Sequence, residues 1–251
     1  MAGLSLHGDH VEISPKLRLP AQFVLIGALV MGTGGGISQG KPSILMVLFW
    51  IILIVGTANF YNFMDGINGI AGISGTIGLG LLAFATYKDH PDVGLLTACM
   101  ALACLGFLPF NLPRARVFMG DVGSVLLGGV FAGSVYLASR TLLDFICLAS
   151  FLFPFYADEL TTMIVRLRAG ENLAQPHRRH VYQLLANEMQ IPHWRISAGY
   201  GFVQLMVGVS VLIIRRFGLE VVIAVLISWF FLFVIYGHLV RGMRYRGKGL
   251  G

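Results

Sequence analysis

Eight runs of predominantly apolar residues, at about 17–37, 42–58, 66–87, 93–110, 122–139, 142–165, 196–215 and 219–240, recur along this chain of 251 residues. Crossing ~30 Å of hydrocarbon takes about 20 residues of helix, and each run approaches or exceeds that length. In lipid every backbone N–H and C=O needs a protein partner, so the runs predict helices. The expected fold is therefore all-α, a polytopic membrane bundle of about eight transmembrane helices forming one domain over 1–251. Composition closes off the alternative. Hydrophobic residues make up 56% of the chain and charged residues 12%, whereas a soluble domain carries about twice that charge. A soluble enzyme is excluded.

The formal net charge is +6, yet the basic residues sit between apolar runs instead of on one soluble face, so no nucleic acid is expected as a partner. Cys99, Cys104 and Cys147 lie inside apolar stretches without metal-ligand spacing and read as reduced structural residues. Residues 1–16 are polar and lack the apolar core of a signal peptide. Glycines at 69, 72, 75 and 78 fall nearly in line on the third predicted helix and mark a face that packs tightly on a neighbour.

Lysine and arginine set orientation through the positive-inside rule. With the N-terminus inside, thirteen of the eighteen fall on the inner side, and five (Lys41, Lys88, Arg140, Arg215 and Arg216) fall outside. Both termini are predicted cytoplasmic. Eight of the twelve acidic residues, among them Asp9, Asp65, Asp121 and Asp158, fall on the same inner side. Acidic residues barely influence orientation, so their bias points to a polar cytoplasmic site.

Four inner segments carry the chemistry. Asn59-Phe60-Tyr61-Asn62-Phe63-Met64-Asp65-Gly66-Ile67-Asn68-Gly69 joins two predicted spans, and Asn62 and Asp65 share a face if helical. Asn111-Leu112-Pro113-Arg114-Ala115-Arg116-Val117-Phe118-Met119-Gly120-Asp121-Val122-Gly123-Ser124 sets Asp121 beside a helix start. Asp158 and Glu159 follow Pro154 in an apolar run, where carboxylates must face protein or a hydrated cavity. The cytoplasmic loop predicted over 166–195 then presents His177, Arg178, Arg179 and His180. The fourth segment is Gly8-Asp9 ahead of Ser14-Pro15-Lys16. Asp65, Asn68 and Asp121 also suit helix capping, and the loop arginines suit ordinary positive-inside charge, so residue types alone leave both readings open. Together, carboxylates able to hold Mg²⁺ and arginines able to grip phosphate suit phosphate-group chemistry on a lipid-soluble partner.

The Asn59–Gly69 stretch, Phe118-Met119-Gly120-Asp121-x-Gly-Ser and the Pro176–Gln183 loop resemble the polyprenyl-phosphate N-acetylhexosamine-1-phosphate transferases, which include the phospho-N-acetylmuramoyl-pentapeptide transferases. The resemblance implies transfer of N-acetylhexosamine-1-phosphate from a UDP-sugar to undecaprenyl phosphate, with release of UMP, at the start of cell-wall or surface polysaccharide synthesis. It implies Asp9, Asp65, Asp121, His177 and His180 as catalytic, and Asn62, Asp65, Asn68, Arg178 and Arg179 as substrate-binding. Asp121 with Asn62 would hold Mg²⁺, with Mn²⁺ as a substitute, and Asp158 matches an acidic position of the family. The partners implied are UDP-N-acetylhexosamine, undecaprenyl phosphate, the bilayer of a bacterial inner membrane and a second copy in a homodimer.

Two departures shape the expectation. The family carries paired aspartates where this chain has Gly8-Asp9, and its members begin with roughly three further helices. The 251 residues alone are therefore expected to be inactive, and a catalytically inactive membrane remnant or binding protein is the competing reading. A secondary transporter fits less well, because the carboxylates cluster at one face rather than near mid-membrane.

Overall fold

The computed structural model describes residues 15–34, 43–173, 175 and 177–247, among which the regular structure is entirely helical. The helices are α1 (Pro15–Gly32), α2 (Ile44–Met64), α3 (Ile70–Thr86), α4 (Pro91–Asn111), α5 (Gly120–Ala138), α6 (Leu142–Ala149), α7 (Phe153–Arg168), α8 (Val181–Asn187), α9 (His193–Ile214) and α10 (Leu219–Gly247). Five stretches are long and apolar enough to cross a membrane: Ile44–Met64, Pro91–Asn111, Gly120–Ala138, His193–Phe217 and Leu219–Met243. The chain is a multi-pass membrane protein. The shorter apolar helices Arg18–Gly32 and Ile70–Thr86 lie in two other predicted runs.

The sixth predicted span is a broken helix. α6 ends at Ala149, a 3-10 turn covers Ser150–Leu152, and α7 begins with Pro154 in its first turn, where proline costs no hydrogen bond. The break frees backbone carbonyls inside the bundle. Fully buried Gln204 of α9 answers one of them, donating from Nε2 to Phe151 O at 2.7 Å and also to Ser74 O at 3.0 Å. Both bonds come from the amide nitrogen, which seals the kink at bundle depth, while the buried Oε1 has no hydrogen-bond partner among the described residues.

Two boundaries differ from the sequence expectation. α2 runs on to Met64, so Asn59 and Asn62 stand on its last turns and not in a connecting loop. α3 starts at Ile70 and not at 66, because Gly69 takes φ +87° and breaks the helical path. The predicted loop over 166–195 likewise contains α8 and the first residues of α9.

Close packing positions α2 against α5 and α3 against α4. A Cβ on Gly128 of α5 would lie 2.8 Å from Ala58 Cα and from Thr57 O of α2, so only glycine permits this crossing. Gly75 of α3 is similarly pressed by Cys104 Sγ of α4, 2.7 Å from where a Cβ would stand, as the glycine alignment anticipated. Trp50, Tyr61, Phe131, Phe151 and Phe155 are fully buried between these helices.

Candidate active site

The end of α2 and the start of α5 enclose a polar cavity of about 270 Å³ lined by Asn62, Asp65, Asn68, Asn111, Phe118 and Asp121, among others. Asn62 sits on the last turn of α2 and donates from Nδ2 to Asp121 Oδ1 at 2.8 Å and to Ser124 Oγ at 2.9 Å. Ser124 passes its own proton back to Gly120 O at 2.9 Å. Asp121 is in the first turn of α5 rather than at its N-cap, where a carboxylate is favoured by the free N–H groups and helix dipole. Its other oxygen meets the Arg18 guanidinium of α1.

Asp65 caps the C-terminus of α2, its backbone N–H reaching Asn62 O at 3.2 Å. Burial, with the Asp121 carboxylate nearby, pushes its carboxyl up to about 7. Asn68 leaves helix capping to Gly69. Its side chain donates to Pro113 O at 3.4 Å, its carbonyl accepts from Ser197 Oγ at 2.8 Å, and its N–H approaches His193 Nδ1 at 3.4 Å.

Buried Asn111 ties the two motif segments together. Its Oδ1 accepts from Gly69 N at 2.5 Å and its Nδ2 donates to Val117 O at 2.8 Å. The Val117 and Arg116 N–H groups bond back to Phe110 O, folding the 112–119 segment over the end of α4.

The histidine segment forms a second, separate cluster. Asp158, wholly buried on α7, accepts from Val181 N at 2.9 Å, Tyr182 N at 3.4 Å and Tyr200 Oη at 2.6 Å. It anchors α8 by bonding the free amides of its first turn. His180 is buried between the two carboxylates, Nδ1 3.7 Å from Asp158 and Nε2 3.5 Å from Glu159, without a hydrogen bond from Nδ1. The His177 ring lies 4.8 Å from that of His180. Burial, with His180 and Arg166 beside it, pushes His177 down to about 4. Arg178 is exposed, and Arg179 pairs with Glu171 at 2.5 Å.

None of His177, Arg178, Arg179, His180 or Asp158 lines the Asp65–Asp121 cavity. Tyr182 connects the two clusters, its hydroxyl donating to Phe63 O at 3.0 Å while packing against Gly66. Asp9 lies outside the described residues. Sequence reasoning passed over Arg166, which is buried and binds the carbonyls of Asn172 (2.6 Å), Gln175 (3.0 Å) and Leu173 (3.2 Å) to shape the loop. Its only signal was a basic residue close behind the buried Asp158-Glu159 pair.

The donor set of the cavity suits a hard cation. Carboxylate and amide oxygens are what Mg²⁺ selects, and two carboxylates near enough to raise the Asp65 pKa would be relieved by positive charge. Among the described residues no three His, Cys, Asp or Glu side chains converge as a metal cage. That is consistent with a cation bound through one or two carboxylates plus water and substrate oxygens.

An apolar bundle carrying a carboxylate-and-amide cavity at one end defines a membrane protein with an interfacial polar site. Residues 1–139 match glycosyl transferase family 4, and the chain belongs to that family. The matched stretch includes Asn62, Asp65, Asn68 and Asp121 but stops short of the histidine segment. The chain is 36% identical over 177 residues to the phospho-N-acetylmuramoyl-pentapeptide-transferase of Staphylococcus saprophyticus, covering 67% of this chain and 54% of that protein. It is 29% identical over 184 residues to the decaprenyl-phosphate N-acetylglucosaminephosphotransferase of Mycobacterium tuberculosis, covering 65% and 45% respectively. The chain thus spans about half the length of the curated relatives it matches.

Proposed function

We propose that this protein transfers N-acetylhexosamine-1-phosphate from a UDP-sugar to a polyprenyl phosphate such as undecaprenyl phosphate, releasing UMP, in cell-wall or surface polysaccharide synthesis. The observation that carries the reading is the Asn62–Asp121 hydrogen bond, which joins the two family motifs in one polar cavity at the end of an apolar bundle. The helices of α1, α3 and the broken α6–α7 would complete eight spans, with both termini and the cavity on the cytoplasmic side of the inner membrane.

In this reading a phosphate oxygen of the lipid attacks the phosphorus that bears the sugar. The new P–O bond forms as the anhydride bond to UMP breaks, and UMP leaves with the bonding electrons. A phosphate monoester is largely dianionic at neutral pH, with its second pKa near ~6, so no strong general base is required. Asp9 would orient that phosphate.

Asp121 and Asn62 would hold Mg²⁺, with Asp65 close by; the ion supplies charge neutralisation to the diphosphate when bound. Asn62 fixes the rotamer of Asp121, Asn68 would offer its amide to the nucleotide, and Asn111, with both amide atoms bound to backbone, holds the two motif segments together. His177, Arg178 and Arg179 would approach the diphosphate or sugar, while the buried His180 and Asp158 hold that segment in place.

The test is formation of a lipid-linked sugar phosphate together with UMP, using UDP-N-acetylhexosamines, undecaprenyl phosphate and Mg²⁺. UMP and lipid product in equal amounts would support the reading. UMP without lipid product would make the protein a hydrolase, and neither product from a version carrying further N-terminal helices would favour the non-catalytic reading.

A further inference from the structure

We propose that the crevice between α9 and α10 is a binding site for an anionic glycerophospholipid of the bilayer, with its phosphate on Arg195 and one acyl chain inside. The crevice has a volume of about 420 Å³ and shares no residue with the Asp65–Asp121 cavity. Its walls are apolar along Val203, Trp229, Leu232 and Phe233, whereas Arg195 and Tyr236 bring polar groups to one end. Tyr200 also lines it, but with its hydroxyl committed to Asp158 and only its ring facing inward. A charged mouth leading to an apolar interior is the polarity of a lipid.

Arg195 is exposed, stacks over the Trp194 ring at 5.3 Å, and has no carboxylate at ion-pair distance among the described residues. A second copy or another apolar helix laid over the crevice would cover this guanidinium without neutralising it, which is costly. A lipid phosphate neutralises it. His193, two residues earlier, meets Asn68 at 3.4 Å, so the charged mouth lies at the same end of the bundle as the candidate active site.

Depth favours a bilayer phospholipid over a polyprenyl chain. From Arg195 to Val203 is about 12 Å along a helix, close to the ~15 Å of one hydrocarbon leaflet. A polyprenyl tail runs several times that length. Midway along, a Cβ on Gly199 would meet nothing within 4 Å, so the crevice is open there.

Tryptophan quenching by lipids with brominated acyl chains tests the site. The full chain is placed in phosphatidylcholine vesicles doped with brominated phosphatidylglycerol or brominated phosphatidylcholine, and the Trp229 signal is isolated by difference from Trp229→Phe. Quenching of Trp229 should saturate at about five-fold lower mole fraction of phosphatidylglycerol, the preference expected of one arginine for a phosphate that no choline cation in the same headgroup offsets. Arg195→Gln, an exposed change, should erase the difference between the two lipids. Gly199→Leu should fill the crevice and remove the saturable component for both. Equal quenching by both lipids that Arg195→Gln leaves unchanged would overturn the proposal, reducing the crevice to ordinary lipid contact. So would brominated polyprenyl phosphate saturating at a lower fraction than phosphatidylglycerol. Loss of quenching as a dimer forms would assign the crevice to a second copy instead.

Discussion

Asn62 and Asp121, 59 residues apart in sequence, are joined by a 2.8 Å hydrogen bond where the end of α2 meets the start of α5. That contact exists because Gly128, two turns further along α5, lets the two helices approach within the reach of a short amide. Replacing Gly128 with valine would force branched carbons against Ala58 Cα and Thr57 O. The cost should be about 1–3 kcal/mol from overpacking, with α2 displaced from α5. A melting temperature unchanged from the parent would show that the crossing tolerates a side chain.

Asn111 supplies a second test of how the cavity is built. Asn111→Leu keeps the volume roughly but leaves Gly69 N–H and Val117 C=O without their partners. The buried Gly69 N–H left unpaired costs about 1–3 kcal/mol, whereas the carbonyl of exposed Val117 can turn to water at smaller cost. The variant should melt lower and bind uridine nucleotides more weakly, because both motif segments loosen together. Binding that survives alongside lowered stability would separate Asn111 from the site.

How far the sequence reached can be judged from these same residues. Asn62, Asp65 and Asp121 were legible because their spacing beside glycines is a motif, and the apolar runs located the helices. Asn111 was visible only as a neighbour of that motif, since its partner Gly69 is distant in sequence and nothing local encodes the pairing. Gln204 was not legible at all. A lone glutamine in an apolar run acquires meaning only when the carbonyl of Phe151, freed by a helix break on another element, comes within 2.7 Å. Helix ends shifted for a similar reason, because composition cannot tell a continuing turn of α2 from a connecting loop.

The histidine segment predicts a pH dependence of stability. His177 is held down to about 4 in the folded protein by burial, by His180 and Arg166 and by Arg179, with Glu171 opposing them. An unfolded chain takes up that proton near the ordinary histidine value of 6.5. Between those values the unfolded state binds more protons at His177, so the stability this residue contributes is full above about pH 6.5 and is lost as pH drops toward about 4, while Asp65, raised to about 7, acts in the opposite direction in both parent and variant. As pH falls through this window, the melting temperature of the parent should drop relative to that of His177→Gln, in which Asp65 is unchanged. A constant difference between the two would mean that another group carries the titration.

Replacing His177 and His180 together with glutamine leaves the inner-side count of lysine and arginine untouched, so membrane insertion should be normal. Transfer activity should nevertheless fall. His180→Gln alone should also lower stability, because its ring fills the buried space between Asp158 and Glu159. Full activity with both changed would reduce the segment to a basic anchor.

The central claim is that Asp121 anchors the reacting diphosphate, and the most direct measurement is UMP release by Asp121→Asn beside the parent sequence. Both are assayed in a version carrying the further N-terminal helices that the family resemblance implies, with Mg²⁺, UDP-N-acetylhexosamine and undecaprenyl phosphate. The substitution removes one charge while nearly preserving shape, so the protein should insert and melt much as before. UMP release should drop by about 100-fold or more, the scale of losing one electrostatic contact to the reacting group. Turnover in Asp121→Asn equal to that of the parent would contradict the account.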